Sequence, residues 1–350
     1  MLPLAEVPRT VCILRLSAIG DTCHVVPVLR TMQQAWPATR FTWIIAKTES
    51  RLMRLIEDVE FIIVDKKAGA AAWRATRRQL AGRRFDVLLH MQLALRASLI
   101  ARQVRASVKL GFDRARAREL QWLFTNARIA AKTREHVLDS FFGFTAALGI
   151  GARQLRWDVP LPRAAQERAR ALIPDAQPAL IISPCSSHVA RNWRPERYAA
   201  VAAHAVRRHG MRVILTGGAS ALEQATGAAI EHAAGVPVSN QIGRDTLPEL
   251  LALLGRASVL VSPDSGPVHM ATMVGTPVLG LYAATNSARS GPYLSQEWCV
   301  NAYAEAARLF RHREPEELPW TEKIEEPGVM DLVRIDAVTA KLDQLLTSRP

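Results

Sequence analysis

The sequence is poor in several features that would each point to a particular class of protein. Its four cysteines are scattered without a CxxC pair, which favours free thiols over disulfides or a zinc site. No apolar run approaches the roughly 18 residues of a membrane span, and the N-terminus lacks the basic and apolar regions of a signal peptide. Aromatic residues make up only 6% of the chain, which leaves few stacking platforms for bases. We therefore expect a cytoplasmic protein with no nucleic-acid partner.

Signatures of cofactor and metal use are absent as well. No GxGxxG follows an early strand, which disfavours a dinucleotide-dependent dehydrogenase. The sequence has no DxD pair and no His, Cys and carboxylate cluster with the spacing of metal ligands. We therefore expect neither a cofactor nor a metal.

The positive charge is concentrated in the first half of the chain. Residues 1–162 contain 26 basic and 13 acidic residues, whereas residues 163–350 contain 19 of each. Most of the excess lies between Lys66 and Arg134, with 17 basic against 3 acidic residues. This asymmetry predicts that the first half meets an anionic partner.

Short apolar strands alternate with helical segments in both halves, which indicates parallel βαβ units. A length of 350 residues suits two domains. We predict an α/β protein with two Rossmann-like domains facing across a central cleft. The expected parts are a first Rossmann-like domain over 1–160, a linker over 161–178, a second Rossmann-like domain over 179–330, and a C-terminal helix over 331–350 that could pack back on the first domain.

The stretch Val259–Tyr282 has the most informative pattern. It predicts a strand over Val259–Val261, a polar turn over Ser262–Gly266, a helix over Pro267–Val274 and a strand over Val278–Tyr282. A helix that begins after small residues presents unpaired N–H groups and a positive dipole end, which suit a phosphate or diphosphate. Asp264 there is equally consistent with a ligand contact and with the helix N-cap.

Five segments in this order resemble glycosyltransferase family 9, the bacterial ADP-heptose:lipopolysaccharide heptosyltransferases of GT-B fold. They are LRLSAIGDTCHVVPVL, SSHVARNWRPERY, TGGASALEQ, IGRDTLPELLALL and SPDSGPVHMATMVGTPVLGLY. The likeness extends over about residues 10–345, and the C-terminal part is similar to the heptosyltransferase I type. The resemblance implies an inverting, metal-independent transfer of a heptosyl group from an ADP-sugar to the Kdo or heptose of the lipopolysaccharide inner core. It also implies that the domain over 1–160 binds the acceptor and that the domain over 179–330 binds the nucleotide sugar.

The resemblance also assigns catalytic positions. Asp21 matches the family's general base, in a turn that Ser17 and Gly20 would line. The residue types alone also allow Asp21 to be the N-cap of a helix from about Cys23. Arg191 lies where many members have a lysine that offsets the charge of the departing diphosphate, with Arg194 as the alternative occupant.

On the donor side, the resemblance implies phosphate binding by one turn, ribose binding by one glutamate and an adenine border. A surface or capping role is the ordinary alternative for each polar side chain. The implied positions are Asp264, Ser265, Gly266, His269, Glu223, Asp245, Thr246 and Leu247.

Two arginine clusters in the first half are candidates for the anionic acceptor. Arg74, Arg77 and Arg78 share a helix face by their spacing, with Trp73 and Leu80 predicted on the other face. Arg114, Arg116 and Arg118 alternate in a loop. A solvated surface charge is the alternative for any one of them.

Three functions from different classes remain at this point. They are a glycosyltransferase, a sugar-nucleotide or sugar-phosphate isomerase on the same scaffold, and a non-enzymatic binder of nucleic acid or membrane. The first implies a monomer at the inner face of the bacterial inner membrane, with an anionic glycolipid (lipid A–Kdo or extended inner core) as acceptor. The sequence leaves open the donor sugar and the position that receives it.

Overall fold

The computed structural model describes residues 2–175 and 177–348 of the chain. They divide into two compact units, with the division between Pro160 and Leu161. Each unit has its own parallel six-stranded sheet with helices. The expected α/β class with two Rossmann-like domains is confirmed.

The first unit alternates strands and helices along almost its whole length. Its strands are β1 Thr10–Leu14, β2 Arg40–Ala46, β3 Val59–Val64, β4 Phe85–His90, β5 Ala106–Gly111 and β6 Ala127–Arg128. Its helices are α1 Ile19–Ala35, α2 Lys47–Met53, α3 Gly69–Leu80, α4 Leu95–Gln103 and α5 Val137–Ala147. The sheet order is β3-β2-β1-β4-β5-β6, and the two central strands are buried because helices cover both faces.

Helix α1 begins four residues earlier than the sequence predicts. Ala18 is extended and its carbonyl accepts from Thr22 N (3.0 Å), which starts the helix at Ile19 and places Asp21 in its first turn. Pro27 therefore lies inside the helix and cannot donate to the carbonyl of Cys23, four residues back. The indole Nε1 of Trp157 donates to that carbonyl instead (3.0 Å), which explains how the helix tolerates the proline.

His90 is a buried titratable group at the carboxyl end of the central strand β4. Its Nε2 lies 3.0 Å from Ser98 Oγ, and no described residue pairs with its Nδ1. Burial, together with the charges of Arg15 and Lys109, lowers the pKa of His90 to about 3. The imidazole is therefore neutral in the folded protein at ordinary pH.

This burial predicts a pH-dependent stability. Between about pH 3 and the unfolded pKa of about 6.5, the unfolded chain binds a proton at His90 and the folded chain does not, so stability falls as the pH is lowered. Wild type should lose about 2 kcal/mol more than His90→Gln between pH 7 and pH 5, because one pKa unit is worth about 1.4 kcal/mol. Urea unfolding of both proteins at the two pH values measures this difference. Parallel pH profiles would contradict the assignment.

The second unit repeats the architecture. Its strands are β7 Ala179–Ile182, β8 Arg212–Leu215, β9 Ser239–Asn240, β10 Val259–Pro263, β11 Val278–Tyr282 and β12 Val300–Asn301. Its helices are α6 Arg163–Leu172, α7 Pro195–His209, α8 Ala221–Ala234, α9 Leu247–Leu254, α10 Gly266–Met273, α11 Ser287–Ser290, α12 Tyr303–Arg311 and α13 Ile335–Thr347. The sheet order is β12-β11-β10-β7-β8-β9, so each sheet, counted from its own first strand, has the Rossmann order 3-2-1-4-5-6.

Two expectations about the borders of the second unit differ from the structure. The segment expected to be a linker, 161–178, contains α6, which packs on α9 and pairs Arg168 with Asp245 (2.9 Å). The C-terminal helix expected over 331–350 is α13, and its apolar residues Val338, Leu342 and Leu345 lie in the core of the second unit. Burial of that apolar face therefore places the helix in the second unit's own core.

A small cluster of polar side chains joins α13 to α7. Asp343 Oδ1 lies 2.7 Å from Nε2 of His204 and 2.6 Å from Nε2 of His209. Arg208 Nε approaches the other carboxylate oxygen at 3.2 Å. The hydrogen bonds and the apolar packing together make the end of the chain an integral part of this unit.

The remaining compositional expectations concern helices and thiols. Among the described residues, no helix has both the length and the apolar character needed to cross a bilayer. All four cysteines are free. Burial raises the pKa of the thiols of Cys12, Cys23 and Cys299, and the pKa of Cys299 rises to about 12.

Candidate active site

The two sheets place their candidate residues at equivalent positions. In an open parallel sheet of this order, ligands bind at the carboxyl ends of the first and fourth strands, where the strand order reverses. In the first unit these are the ends of β1 and β4, followed by the segments that contain Arg15 and Gln92. In the second unit they are the ends of β7 and β10, followed by those that contain Arg191 and Asp264.

In the first unit, Asp21 is held by two partners. Its Oδ2 accepts from the backbone N–H of Ala18 (3.2 Å) and forms an ion pair with Arg15. The Arg15 side chain is 12% exposed, and its guanidinium lies over the ring of Phe141 (5.2 Å to the centroid). The expected capping role is thus revised: Asp21 is the third residue of α1 and binds the cap residue's amide, while 30% of its side chain stays exposed. Ser17 and Gly20 both precede Asp21 in the sequence.

A buried glutamine connects the neighbouring strand ends. Gln121 donates through Nε2 to the carbonyls of His90 (2.9 Å) and Gln92 (3.0 Å). Gln92 in turn accepts from the backbone N–H of Leu16 (2.7 Å), next to Arg15. Gln121 Oε1 also accepts from the backbone N–H of Phe112 (3.2 Å), just after β5. This network fixes the segment between β1 and α1 relative to the ends of β4 and β5.

In the second unit, the predicted turn and helix are present, with one correction. The N-cap of α10 is Ser265 rather than Asp264, and no side chain of the described residues caps the helix. Ser262 Oγ donates to the Ser183 carbonyl (2.9 Å) and lies 2.8 Å from Ser265 Oγ, which joins the ends of β7 and β10. The first turn of α10, beginning at Gly266 and including the buried His269, therefore keeps backbone N–H groups available for an anion.

Arg191 lies beside this turn and is largely buried. Its side chain is 10% exposed, and its Nη1 is 3.3 Å from Oδ2 of Asp264, which is itself 12% exposed. Its Nε and Nη2 both reach Glu325 Oε1, at 3.0 and 2.8 Å. Burial opposes ionisation of Glu325, but the hydrogen bond and charge of Arg191 outweigh it and lower the pKa of that carboxyl. A fixed cation is thus held at the β7/β10 edge by two carboxylates.

Arg194, the alternative to Arg191, has a different environment. It is the N-cap residue of α7, its side chain is 65% exposed, and it pairs with Asp331 (2.5 Å). Trp193 between them is buried and donates through Nε1 to the Val333 carbonyl (2.9 Å), so it packs inside the second unit. The structure brings Arg191, and not Arg194, to Asp264.

Glu223 lies at the carboxyl end of β8, as the third residue of α8. Its carboxylate accepts from the backbone N–H of Gly218 (2.7 Å) and from the hydroxyl of Ser220, whose Oγ caps the helix. The side chain therefore supports its own turn. Its carboxylate oxygens, with two lone pairs each, keep capacity for a hydroxyl donor.

The segment that precedes α9 is also used by local contacts. Thr246 is the N-cap of α9 and exchanges hydrogen bonds with Glu249, while Leu247 is the first helical residue. Asp245 pairs with Arg168, yet burial prevails over that pairing and raises the pKa of its carboxyl. The side chains of Asp245 and Thr246 therefore have structural partners, and the N–H and carbonyl of Thr246 are bonded to Glu249 Oε2 and to the Leu250 N–H.

The two arginine clusters of the first unit differ in their availability. Arg74, Arg77 and Arg78 are exposed on α3, and none forms an ion pair within the described part of the chain. Trp73, expected on the covered face, is 37% exposed. The apolar side chains of α3 are thus less strictly confined to its covered face than their spacing predicts.

Arg116 does not belong to an exposed cluster, contrary to the expectation for residues 114–118. It pairs with Asp113 and Glu135 (2.8 Å) and donates to the Ser140 hydroxyl (2.9 Å). These contacts use the guanidinium to fix the loop after β5. Arg114 is exposed and stacks over the ring of Trp122 (4.9 Å).

One group of the described residues could supply ligands to a metal ion, although the sequence spacing predicts none. It is the cluster of His204, His209 and Asp343 that joins α7 to α13. Two imidazole nitrogens and a carboxylate oxygen suit ions such as Zn²⁺. The hydrogen bonds within the cluster account for its arrangement without an ion.

Sequence reasoning missed Arg15, Glu325 and Gln121. Arg15 had a signal, because a charged residue directly after the apolar strand VCIL points to a buried pairing. Glu325 is 134 residues from Arg191, and Gln121 is 31 residues from His90, so only the fold brings these pairs together.

Comparison with known proteins identifies the family. The profile of glycosyltransferase family 9 (heptosyltransferase) matches residues 73–320. The chain is 36% identical over 340 residues to the lipopolysaccharide core heptosyltransferase OpsX of Haemophilus influenzae, covering 97% of this chain and 98% of that protein. It is 25% identical over 295 residues to lipopolysaccharide heptosyltransferase 1 of Escherichia coli, covering 81% and 90%.

Solved structures show the same fold. The family 9 glycosyltransferase of Veillonella parvula superposes with a TM-score of 0.79 at 19% identity, covering 97% of this chain and 98% of that one. The heptosyltransferase WaaC of Escherichia coli with ADP gives a TM-score of 0.73 at 20% identity, covering 96% and 99%. The chain therefore has the GT-B fold and belongs to glycosyltransferase family 9, the heptosyltransferases.

Proposed function

We propose that this protein is an inverting heptosyltransferase that moves a heptosyl group from ADP-heptose to a Kdo or heptose residue of the lipopolysaccharide inner core. The proposal rests on one observation at the carboxyl ends of β7 and β10. There the buried Arg191 lies beside the first turn of α10, which no side chain of the described residues caps. The names of the relatives supply the sugar and the acceptor.

The chemical step assigns one task to each unit. An acceptor hydroxyl oxygen attacks the anomeric carbon as the bond from that carbon to the diphosphate oxygen breaks. The hydroxyl proton passes to Asp21, and ADP departs with the electron pair of the broken bond. Attack opposite the leaving group inverts the anomeric configuration.

Arg15 and the Ala18 amide would orient the Asp21 carboxylate as general base. The remaining exposed part of the Asp21 side chain is the face at which an acceptor hydroxyl would arrive.

On the donor side, Arg191 and the N–H groups at the start of α10 would stabilise the charge on the departing diphosphate. Asp264 and Glu325 hold the guanidinium in place beforehand, which spares reorganisation during the reaction. We propose further that Ser265, Gly266 and His269 line the phosphate site, that Glu223 meets the ribose, and that the backbone of Thr246 and Leu247 borders the adenine.

Because Arg191 and α10 supply positive charge to the diphosphate, we expect the reaction to proceed without a divalent metal. Enzyme freed of metal, mixed with ADP-heptose and a Kdo-containing acceptor, should form the glycosylated product and ADP at the same rate with or without EDTA. Mass spectrometry of both products distinguishes transfer from isomerisation of the donor. Loss of activity that Mg²⁺ or Mn²⁺ restores would refute metal independence, and an isomerised sugar with no transfer would refute the proposed reaction.

A second expectation concerns the acceptor. We propose that the exposed guanidinium groups of Arg74, Arg77 and Arg78 bind the carboxylates and phosphates of the inner core. Changing all three to glutamate should raise KM for the acceptor by roughly tenfold or more, since two to three surface ion pairs of up to about 1 kcal/mol each become repulsive. The donor KM should stay near wild type, and the effect should shrink with salt.

A matched control for this variant uses exposed arginines elsewhere. Arg207→Glu and Arg313→Glu change charge on exposed side chains of the second unit. An acceptor KM equal to wild type in the α3 variant would show that these arginines are solvated surface.

The basic first unit and the glycolipid acceptor also bear on location. We propose that the protein is a monomer that works at the cytoplasmic face of the inner membrane, where a lipid-anchored acceptor would be presented. What supports this location is the charge excess of residues 1–162, because anionic lipid attracts basic surfaces.

A further inference from the structure

A group of large apolar side chains is exposed on the first unit. Leu95 and Leu99 on α4, together with Leu120, Trp122 and Leu123, are between 38% and 58% exposed. Side chains of this size are usually buried, and a contiguous exposed set marks an interaction surface. We call these five residues the apolar patch.

Hydrogen bonds and packing place the residues of the patch on neighbouring elements. Leu95 and Leu99 are one turn apart on α4, and this helix packs against the 3-10 turn Gln121–Phe124. The backbone N–H of Leu95 donates to Glu119 Oε2 (2.6 Å), beside Leu120. Leu123 N donates to the Leu120 carbonyl (2.9 Å). The two leucines of α4 and the residues of the turn thus lie on elements that contact each other.

The backbone directly before the 3-10 turn has an uncommon conformation. Glu119 and Leu120 are both left-handed, with φ of 49° and 61°. Non-glycine residues seldom adopt this conformation. Leu120, the N-cap residue of the 3-10 turn, is 53% exposed.

Positive charge surrounds the patch. Residues 95–123 contain seven basic and two acidic residues. Arg114 stacks on Trp122, and Arg96 and Arg102 are exposed on α4. Helix α3 with its exposed arginines packs against α4. An apolar centre with a tryptophan and a basic rim matches the interface of an anionic bilayer.

The patch is tied to the catalytic edge of the same unit. Gln121, the residue between Leu120 and Trp122, is buried and binds the carbonyls of His90 and Gln92. Gln92 binds the backbone of Leu16, next to Arg15 and in the turn that leads to Asp21. A bilayer held at the patch would therefore present headgroup-linked sugars to this edge of the first sheet.

We infer that the apolar patch inserts into the interfacial layer of an anionic phospholipid membrane and, resting on the proposed function, delivers the lipid-anchored acceptor to the turn of Asp21. This role is separate from recognition of the sugar. The arginines of α3 contact the acceptor's charges, whereas the patch contacts acyl chains and headgroups.

The experiment compares two matched triple variants of the full chain. One is Leu120→Ser, Trp122→Ser and Leu123→Ser; the control is Leu222→Ser, Leu294→Ser and Leu309→Ser, three leucines of the second unit that are 46% to 54% exposed. Vesicles of phosphatidylethanolamine and phosphatidylglycerol, and vesicles of phosphatidylcholine alone, are used in flotation assays. We expect the patch variant to partition at least about tenfold more weakly into anionic vesicles, and the control to equal wild type.

Three further readouts protect the inference from indirect effects. Lipids with a quencher at the glycerol level should quench wild-type fluorescence more than that of Trp122→Phe. The patch variant should lose kcat/KM by about tenfold on an acceptor embedded in vesicles and keep it on a deacylated, water-soluble acceptor. Circular dichroism melting checks that both variants fold.

Defined outcomes would overturn the inference. They are unchanged vesicle binding by the folded patch variant, equal binding of wild type to neutral vesicles, or a dimer in sedimentation equilibrium that the patch variant dissociates without any change in lipid binding. Absence of transfer to either acceptor would overturn the proposed function instead, and the vesicle and quenching results would still decide the role of the patch.

Discussion

Replacing Asp21 by asparagine is expected to lower kcat by at least about a hundredfold, because general-base catalysis contributes typically about 10²–10⁴-fold. Asparagine keeps the shape of the side chain and its capacity to accept from the Ala18 amide, but it cannot take the acceptor's proton. Binding of ADP, measured by titration, should remain near wild type because the residues proposed to bind the donor lie in the second unit. Steady-state kinetics on the acceptor with saturating donor measures the loss.

The substitution also breaks the ion pair with Arg15, so the kinetic loss needs a matched structural control. Asp139→Asn in the same unit removes a carboxylate that pairs with Arg153 (2.5 Å) and is 28% exposed, close to the 30% of Asp21. Both variants should lose a similar, small stability of about 1 kcal/mol or less. Asp139→Asn should retain activity. Near wild-type turnover by Asp21→Asn would place the base elsewhere.

Replacing Arg191 by glutamine should have the second-largest effect. Removing one preorganised group that stabilises transition-state charge costs about 10²–10³ in kcat. Arg191→Gln should therefore lose that much in kcat and also bind ADP more weakly, since the diphosphate is charged before and after transfer. Arg191→Lys should recover part of the activity, because a lysine ammonium supplies the charge without the bidentate fork.

Arg194→Gln is the matched control for that prediction. It is three residues away and also paired to a carboxylate, but its partner is Asp331 rather than Asp264. We expect its kcat and ADP affinity to stay near wild type, with only the small loss typical of an exposed ion pair. A large loss in Arg194→Gln together with an active Arg191→Gln would reverse the assignment of the cation.

Much of the fold could be predicted from the sequence because its strands are short apolar runs bounded by turn residues. The strand Val278–Tyr282 has the predicted limits, and α10 begins and ends one residue before its predicted limits. The start of α1 could not be predicted, because Pro27 indicates a first-turn position unless a distant donor satisfies the freed carbonyl. That donor, Trp157, is 134 residues away from Cys23.

The site shows the same division between local and long-range information. The start of α10 is a local pattern, and the turn and helix that the sequence predicts there are present. The partners of the charged residues are not local: Arg191 pairs with Asp264 and Glu325, and Arg116 is used inside the first unit. The sequence does not show which arginines form ion pairs with carboxylates, because those pairs depend on the three-dimensional arrangement of the loops.

The shared strand order has a consequence for how such an enzyme can change over evolutionary time. In each unit the segment that follows its own first strand leads to a charged pair, Asp21 with Arg15 in one half and Arg191 with Asp264 in the other. Each half also has a separate apolar core. With the roles proposed above, loops around α3 and α4 can vary without disturbing the core of the second unit, so acceptor specificity can change in evolution while donor binding is kept.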